Sequence, residues 1–142
     1  MAQNLTGDWT YRSFLNNPQP VDGNPQAALG LIFGEGALRV IAADPGTGFK
    51  AELSFGGDAV MDLVGSYAEG QDGKPAVIRA NGRGRPKSGI EDFDYDYIFY
   101  PVDSWPGGAD QRPALVGTVI RSADHGRARK GAVASTITVK QG

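Results

Sequence analysis

The sequence predicts an all-β domain, an antiparallel up-and-down β-barrel of eight, or nine, strands. Three observations carry this expectation. Runs of alternating apolar and polar residues recur along the chain, each bordered by glycine, proline, aspartate or asparagine. Twenty-one glycines and nine prolines stand among 142 residues, about a fifth of the chain against roughly 12% in average usage, which fits many turns between short strands. No window sustains the i, i+3, i+4, i+7 spacing of an amphipathic helix. The length suits one domain, and the 40% hydrophobic and 9% aromatic content argues against disorder.

Nine runs follow in order. The first, 7–14, opens on Gly7-Asp8-Trp9. The second and third, 27–33 and 37–43, are parted only by Gly34-Glu35-Gly36. An odd strand count would leave the first and last strands parallel in a meander. These two runs are therefore read as one long strand bent at Gly34 or Gly36. The fourth, 48–55, sets Phe49, Ala51, Leu53 and Phe55 on one face against Lys50, Glu52 and Ser54. The fifth, 59–67, follows a Gly56-Gly57-Asp58 turn, and the sixth spans 75–82. The seventh, 92–102, places Phe93, Tyr95, Tyr97 and Phe99 opposite Asp92, Asp94, Asp96 and Ile98. The eighth, 114–123, carries Arg121, and the ninth, 131–140, alternates Val133, Ser135, Ile137 and Val139 with Ala134, Thr136, Thr138 and Lys140. Two connections are long, 15–26 and 103–113, and the segment 22–28 is the place for a single helical turn. Closing such a sheet removes its exposed edges, and eight strands enclose room for side chains or one small ligand. A two-sheet sandwich is the alternative.

Gly7-Asp8-Trp9 at the start of the first strand and Arg121 on a late strand resemble the Gly-x-Trp and late-strand arginine of the calycin superfamily, the lipocalins, fatty-acid-binding proteins and avidins. The resemblance implies an up-and-down barrel around a small ligand, with Arg121 packed across Trp9 at the closed end. The avidins' run of pocket tryptophans is absent, since only Trp9 and Trp105 occur, so biotin binding is not implied.

Composition narrows the chemistry. The chain has no cysteine, which excludes disulfides, thiolate nucleophiles and thiolate-bound metals. His125 is the only histidine, so a multi-histidine metal site is excluded and a histidine triad would rest on one residue. The serines lack a nucleophile-elbow context, and no phosphate-cradling glycine motif follows a strand. No metal and no cofactor are expected. A formal net charge of −2 argues against nucleic acid as a partner. Arg83-Gly84-Arg85-Pro86 resembles an AT-hook, a segment that lays arginines into narrow A·T minor grooves. It stands once, however, and Glu91, Asp92, Asp94 and Asp96 follow it, so a solvated hairpin loop is the preferred reading. No apolar run approaches 18 residues and MAQNLTGDW has no signal pattern, so a cytoplasmic protein off the membrane is expected.

The preferred function is non-enzymatic binding of a small apolar or aromatic molecule bearing an anionic group. Trp9, Tyr11, Tyr95, Tyr97 and Phe99 are the candidate walls and Arg121 the internal polar partner. Trp105, in a Pro/Gly-rich loop, is a candidate cover for the far mouth or for a contact with a second copy of the chain. Connections 82–89 and 124–131 fall at one end of a meander. They gather Arg83, Arg85, Lys87, Arg127, Arg129 and Lys130 against Asp124, Glu35 and Asp58, a net +3. The far end holds Asp22, Asp44, Glu69, Asp72, Asp103 and Asp110 against Lys74 and Arg112, a net −4. The arginines Arg83, Arg85, Arg127 and Arg129 are thus a candidate basic rim steering an anionic ligand. Two alternatives stay open: a small-barrel cyclase or isomerase acting through Tyr, Asp or Arg, and a solid-core oligomerisation or interaction domain.

Overall fold

A computed structural model describes residues 4–15, 31–102 and 112–141. Alternation sets the facing of every strand. In β1 (Gly7–Leu15) Trp9, Tyr11 and Ser13 are buried while Asp8, Thr10 and Arg12 are exposed. β2 (Ile32–Asp44), β3 (Gly48–Ser54), β4 (Val60–Ala68), β5 (Val77–Gly84), β6 (Asp94–Val102), β7 (Ala114–Arg121) and β8 (Val133–Lys140) follow. Each pairs antiparallel with the next, and β8 pairs back onto β1, so eight strands close a barrel with no free edge. The described residues include no α-helix, and no helix long and apolar enough to cross a membrane.

Residues 27–30 lie outside the described residues, while residues 32–33 and the run 37–43 do lie in one long strand, β2, which begins at Ile32. Its register shifts against β1 at Ser13/Phe14 and against β3 at Val40/Ala42, so the strand bends in two places. Gly36 faces the Ser54 carbonyl so closely that a Cβ would lie 2.4 Å from its oxygen, and only glycine fits there. The single helical turn expected in 22–28 lies outside the described residues, as do Asp22, Asp103, Trp105 and Asp110.

The lower end is taken here as the one where β1 begins, the upper end as the one where β1, β3, β5 and β7 finish. The lower half is solid. Trp9, Phe49, Ile78, Phe99 and Leu115 are fully buried there, each contributing about 1.5–3 kcal/mol by leaving water. Phe49 and Phe99 pack with ring centroids 6.3 Å apart. The Trp9 indole N–H donates to the Leu5 carbonyl at 2.9 Å, and the Lys140 ammonium donates to the Asn4 carbonyl, also at 2.9 Å. Together they pin residues 4–6 beneath the barrel.

Here the expected Trp9–Arg121 contact is corrected. Trp9 stands near the start of β1, cross-strand from Leu38 and Lys140. Arg121 ends β7 at the opposite mouth, cross-strand from Tyr95. The cation beside Trp9 is Lys140, at the end of β8.

Charged residues occupy the outer wall. Asp8 pairs with Arg39 at 3.1 Å, Arg12 with Glu35 at 3.5 Å, and Arg83 with Asp94 at 3.7 Å. Asp94 and Asp96 also receive the Asn81 amide at 2.7 and 2.9 Å. The aspartates of the seventh run thus lie outside and its aromatics inside.

Candidate functional site

Above the solid half the barrel opens into a pocket of about 140 Å³, lined by Tyr11, Ser13, Phe33, Gly34, Phe55, Phe93, Tyr95 and Tyr97. The local sequence explains the space. Where β2 crosses this level it offers Gly34, whose missing Cβ would lie 3.2 Å from Ser13 Oγ and 3.6 Å from the Tyr11 ring. Around the pocket the aromatics meet edge to face, as ring quadrupoles prefer: Tyr11–Tyr97 at 6.2 Å, Phe33–Tyr95 at 6.0 Å and Phe93–Tyr95 at 5.7 Å. Two larger hollows, of about 360 and 480 Å³, are surface troughs beside outward side chains such as Asp8, Arg39, Lys50 and Asp62.

The deep side of the pocket is hydroxylic. Tyr11 stands beside Tyr97 and Ser13, and the Ser13 hydroxyl donates to the Gly34 carbonyl at 3.5 Å. Burial raises the Tyr11 phenol above its ordinary range and raises Tyr97 well above, so both stay neutral. Thr136 lies cross-strand from Ser13 and Thr138 cross-strand from Tyr11, both fully buried. Neither threonine hydroxyl has a partner among the described residues.

The mouth is built from two loops and a strand end. Residues 85–93 fold back so that the Gly84 N–H donates to the Phe93 carbonyl at 3.1 Å, which sets the Phe93 ring over the opening. In the β7–β8 connection His125 and Ala128 exchange two backbone hydrogen bonds of 2.9 Å, and this tight turn delivers the imidazole onto Phe93, stacked at 4.1 Å. His125 Nε2 lies 2.6 Å from the Tyr95 hydroxyl. Arg121 Nε donates to the same hydroxyl at 3.3 Å, and its guanidinium carbon sits 4.9 Å over the Phe33 ring. Desolvation, then the Arg121 charge, lowers the His125 pKa, which favours neutral imidazole accepting the Tyr95 proton. Arg121 Nη1 also donates to the Arg129 carbonyl at 3.2 Å, tying β7 to the loop.

Of the residues singled out from sequence, Tyr11, Tyr95 and Tyr97 line this pocket and Arg121 stands at its mouth. Trp9 and Phe99 lie in the solid half. Ser13, Phe33, Gly34, Phe55 and Phe93 line the pocket, and His125 its mouth, without having been selected as walls.

The two loops of the candidate rim do emerge at one end, but Arg83 and Arg85 do not ring the opening. β5 extends through Gly84, so Arg83 points outward to Asp94, and Arg85 reaches down the outer wall to Asp62 at 2.8 Å and to Glu52. Those acids raise the Arg85 pKa, and Arg85 in turn lowers that of Asp62. Arg129 pairs with Asp124 at 3.4 Å. Arg127 is exposed on the same loop and makes no ion pair among the described residues. No group of three or more acidic or histidine side chains that could hold a metal occurs among the described residues. No family model, curated protein or solved structure matches the chain.

Proposed function

We propose that the chain is a calycin-like, non-enzymatic barrel that binds one small molecule in the upper pocket. One observation carries the reading: a cavity of about 140 Å³ with aromatic walls and a few convergent hydroxyls, inside a barrel otherwise packed solid. Ligand sites are commonly concave, mostly apolar and furnished with a small number of placed polar groups.

The enzyme alternative has one observation in its favour, the Tyr95 hydroxyl held between His125 and Arg121. Both hydrogen-bonding roles of that hydroxyl are already used within the protein, so it serves better as a latch on the mouth than as a proton donor to substrate.

Native mass spectrometry of the protein as purified tests the reading, beside Gly34→Val, which places new methyls in the pocket. A small molecule retained by the parent and lost in a folded Gly34→Val variant supports binding. Neither protein carrying mass beyond its own polypeptide, with no ligand taken up from a mixture of aromatic compounds, overturns it.

A further inference from the structure

Resting on the binding reading above, we infer that the pocket takes a single aromatic ring with a neutral hydroxyl at its inner edge and a carboxylate at the mouth. A hydroxybenzoate has this chemistry.

Size comes first. A protein cavity of roughly 150 Å³ accommodates benzene. The pocket here, about 140 Å³, therefore has room inside for one ring, whose substituents reach the open mouth, and none for a fused ring system. Its walls select a ring over an aliphatic body of equal volume, since Phe33, Phe55, Phe93, Tyr95 and Tyr97 surround it and aromatic pairs gain beyond their buried area.

Polarity then orients the ring. At the inner edge every polar group is neutral: Tyr11, Ser13 and Tyr97, with Thr136 behind Ser13. Ser13 donates to the Gly34 carbonyl at 3.5 Å and keeps its lone pairs to accept, while the paired Tyr11 and Tyr97 phenols use one proton between them and leave the other to donate. One donor beside one acceptor matches a hydroxyl, which does both. A carboxylate at this depth would face no cation, and burying it so is costly. At the mouth the case reverses. Arg121 is the cation turned toward the pocket among the described residues, and bonds to the Tyr95 hydroxyl and Arg129 carbonyl fix its plane over Phe33. Two of its five N–H donors are thereby used and three remain, enough for a carboxylate. His125 adds no competing charge, being held neutral against Tyr95.

Calorimetric titration with 4-hydroxybenzoate, benzoate, phenol and hexanoate tests the assignment. The expected order places 4-hydroxybenzoate first, benzoate and phenol each about tenfold or more weaker, and hexanoate without measurable binding. Arg121→Gln is expected to bring 4-hydroxybenzoate down to the level of phenol while phenol itself is unchanged, which also reports an intact pocket. Ser13→Ala is expected to weaken both hydroxylated ligands and spare benzoate. Equal binding of hexanoate, or equal loss of phenol and benzoate in Arg121→Gln, overturns the assignment. Absence of saturable binding by all four overturns it too. If native mass spectrometry then still shows a retained molecule that Gly34→Val loses, the binding function stands and only the ligand class falls. If it shows none, both fall.

Discussion

Two side chains at opposite termini hold the floor of the barrel, and a double-mutant cycle measures how they share the task. Trp9→Phe removes the indole N–H and part of a fully buried ring, leaving the Leu5 carbonyl without its donor. An orphaned buried acceptor costs about 1–3 kcal/mol and the lost volume adds to it, so a total of about 2–4 kcal/mol is expected. Lys140→Met keeps the aliphatic stem and loses only the bond to the Asn4 carbonyl, worth about 1 kcal/mol. Both bonds restrain the same three residues, 4–6. Once either is gone the segment frays, and the second loss costs less than it does alone. A coupling of about 0.5 kcal/mol or more is therefore expected between Trp9→Phe and Lys140→Met. Arg121→Gln, at the other mouth, should add to Trp9→Phe within about 0.5 kcal/mol. Urea unfolding reads all four corners of each cycle, a loss of 3 kcal/mol moving the midpoint by about 1.5 M at an m-value near 2 kcal/mol/M. Additivity of Trp9 with Lys140 and coupling of Trp9 with Arg121 would refute this account of the floor.

Three further outcomes are expected. Gly117→Ala would place a Cβ 1.7 Å from the Ile98 carbonyl oxygen, so β6 must move, and a loss of about 1–3 kcal/mol or more is expected in the urea midpoint. Gly34→Ala, whose nearest contacts are side-chain atoms at 3.2 Å or more, should stay close to the parent. His125 has its folded pKa below the unfolded value near 6.5, so the unfolded chain takes up the proton first as pH falls. Its contribution to stability is full above about pH 6.5, declines as pH drops toward the folded pKa, and is flat below it. His125→Asn should remove that slope below about pH 6.5, and an unchanged slope would exclude the desolvated position of the imidazole beside Arg121. Stopped-flow binding of 4-hydroxybenzoate should slow when Arg127 and Arg129 are neutralised, and slow with rising salt, because exposed charges act over about 8–10 Å. Neutralising Arg83 and Arg85, whose charges face Asp94, Asp62 and Glu52, should leave the rate nearly unchanged, and an equal effect of both pairs would restore a four-arginine rim.

Strand facing was legible because one side of every strand is buried, and a period of two leaves no choice once register is fixed. The inward set Tyr95, Tyr97 and Phe99 and the outward Asp94 and Asp96 follow from it directly. The end at which a residue stands is a different kind of information, because it depends on the parity of all strands before it. Counted as nine runs, 114–123 is the eighth, and Arg121 would finish beside Trp9. With 32–44 joined into one strand it is the seventh, and Arg121 finishes at the far mouth. The reading of 27–33 and 37–43 as one strand thus already set Arg121 away from Trp9, and the expected contact between them came from the calycin resemblance alone. Alternation also put Phe55 and Phe93 on the inner faces of their runs, though not at which level of the barrel they stand. Phe33 and His125 were hidden, because Phe33 is the extra residue where β2 shifts register against β1 and His125 lies in a loop whose backbone hydrogen bonds set its direction.

The same bend bears on why the barrel is hollow at one end only. Below, Trp9, Phe49, Ile78, Phe99 and Leu115 fill the space that β1, β3, β5, β6 and β7 enclose. Above, Ser13 on β1 and Gly34 on β2 replace such side chains, and β8 contributes only the small residues Ala134 and Thr136 beside them. A continuous large-residue pattern through 32–44 would have closed that volume and gained burial. Small and hydroxylic residues on three adjacent strands forgo that gain together, while Phe93, His125 and Arg121 cover the opening from elements far apart in sequence. A defect confined to one strand would leave a single cavity wall and no matching cover. Vacancy, hydroxyls and cover all meet at the same mouth, and that conjunction is what favours a ligand over an imperfectly packed core.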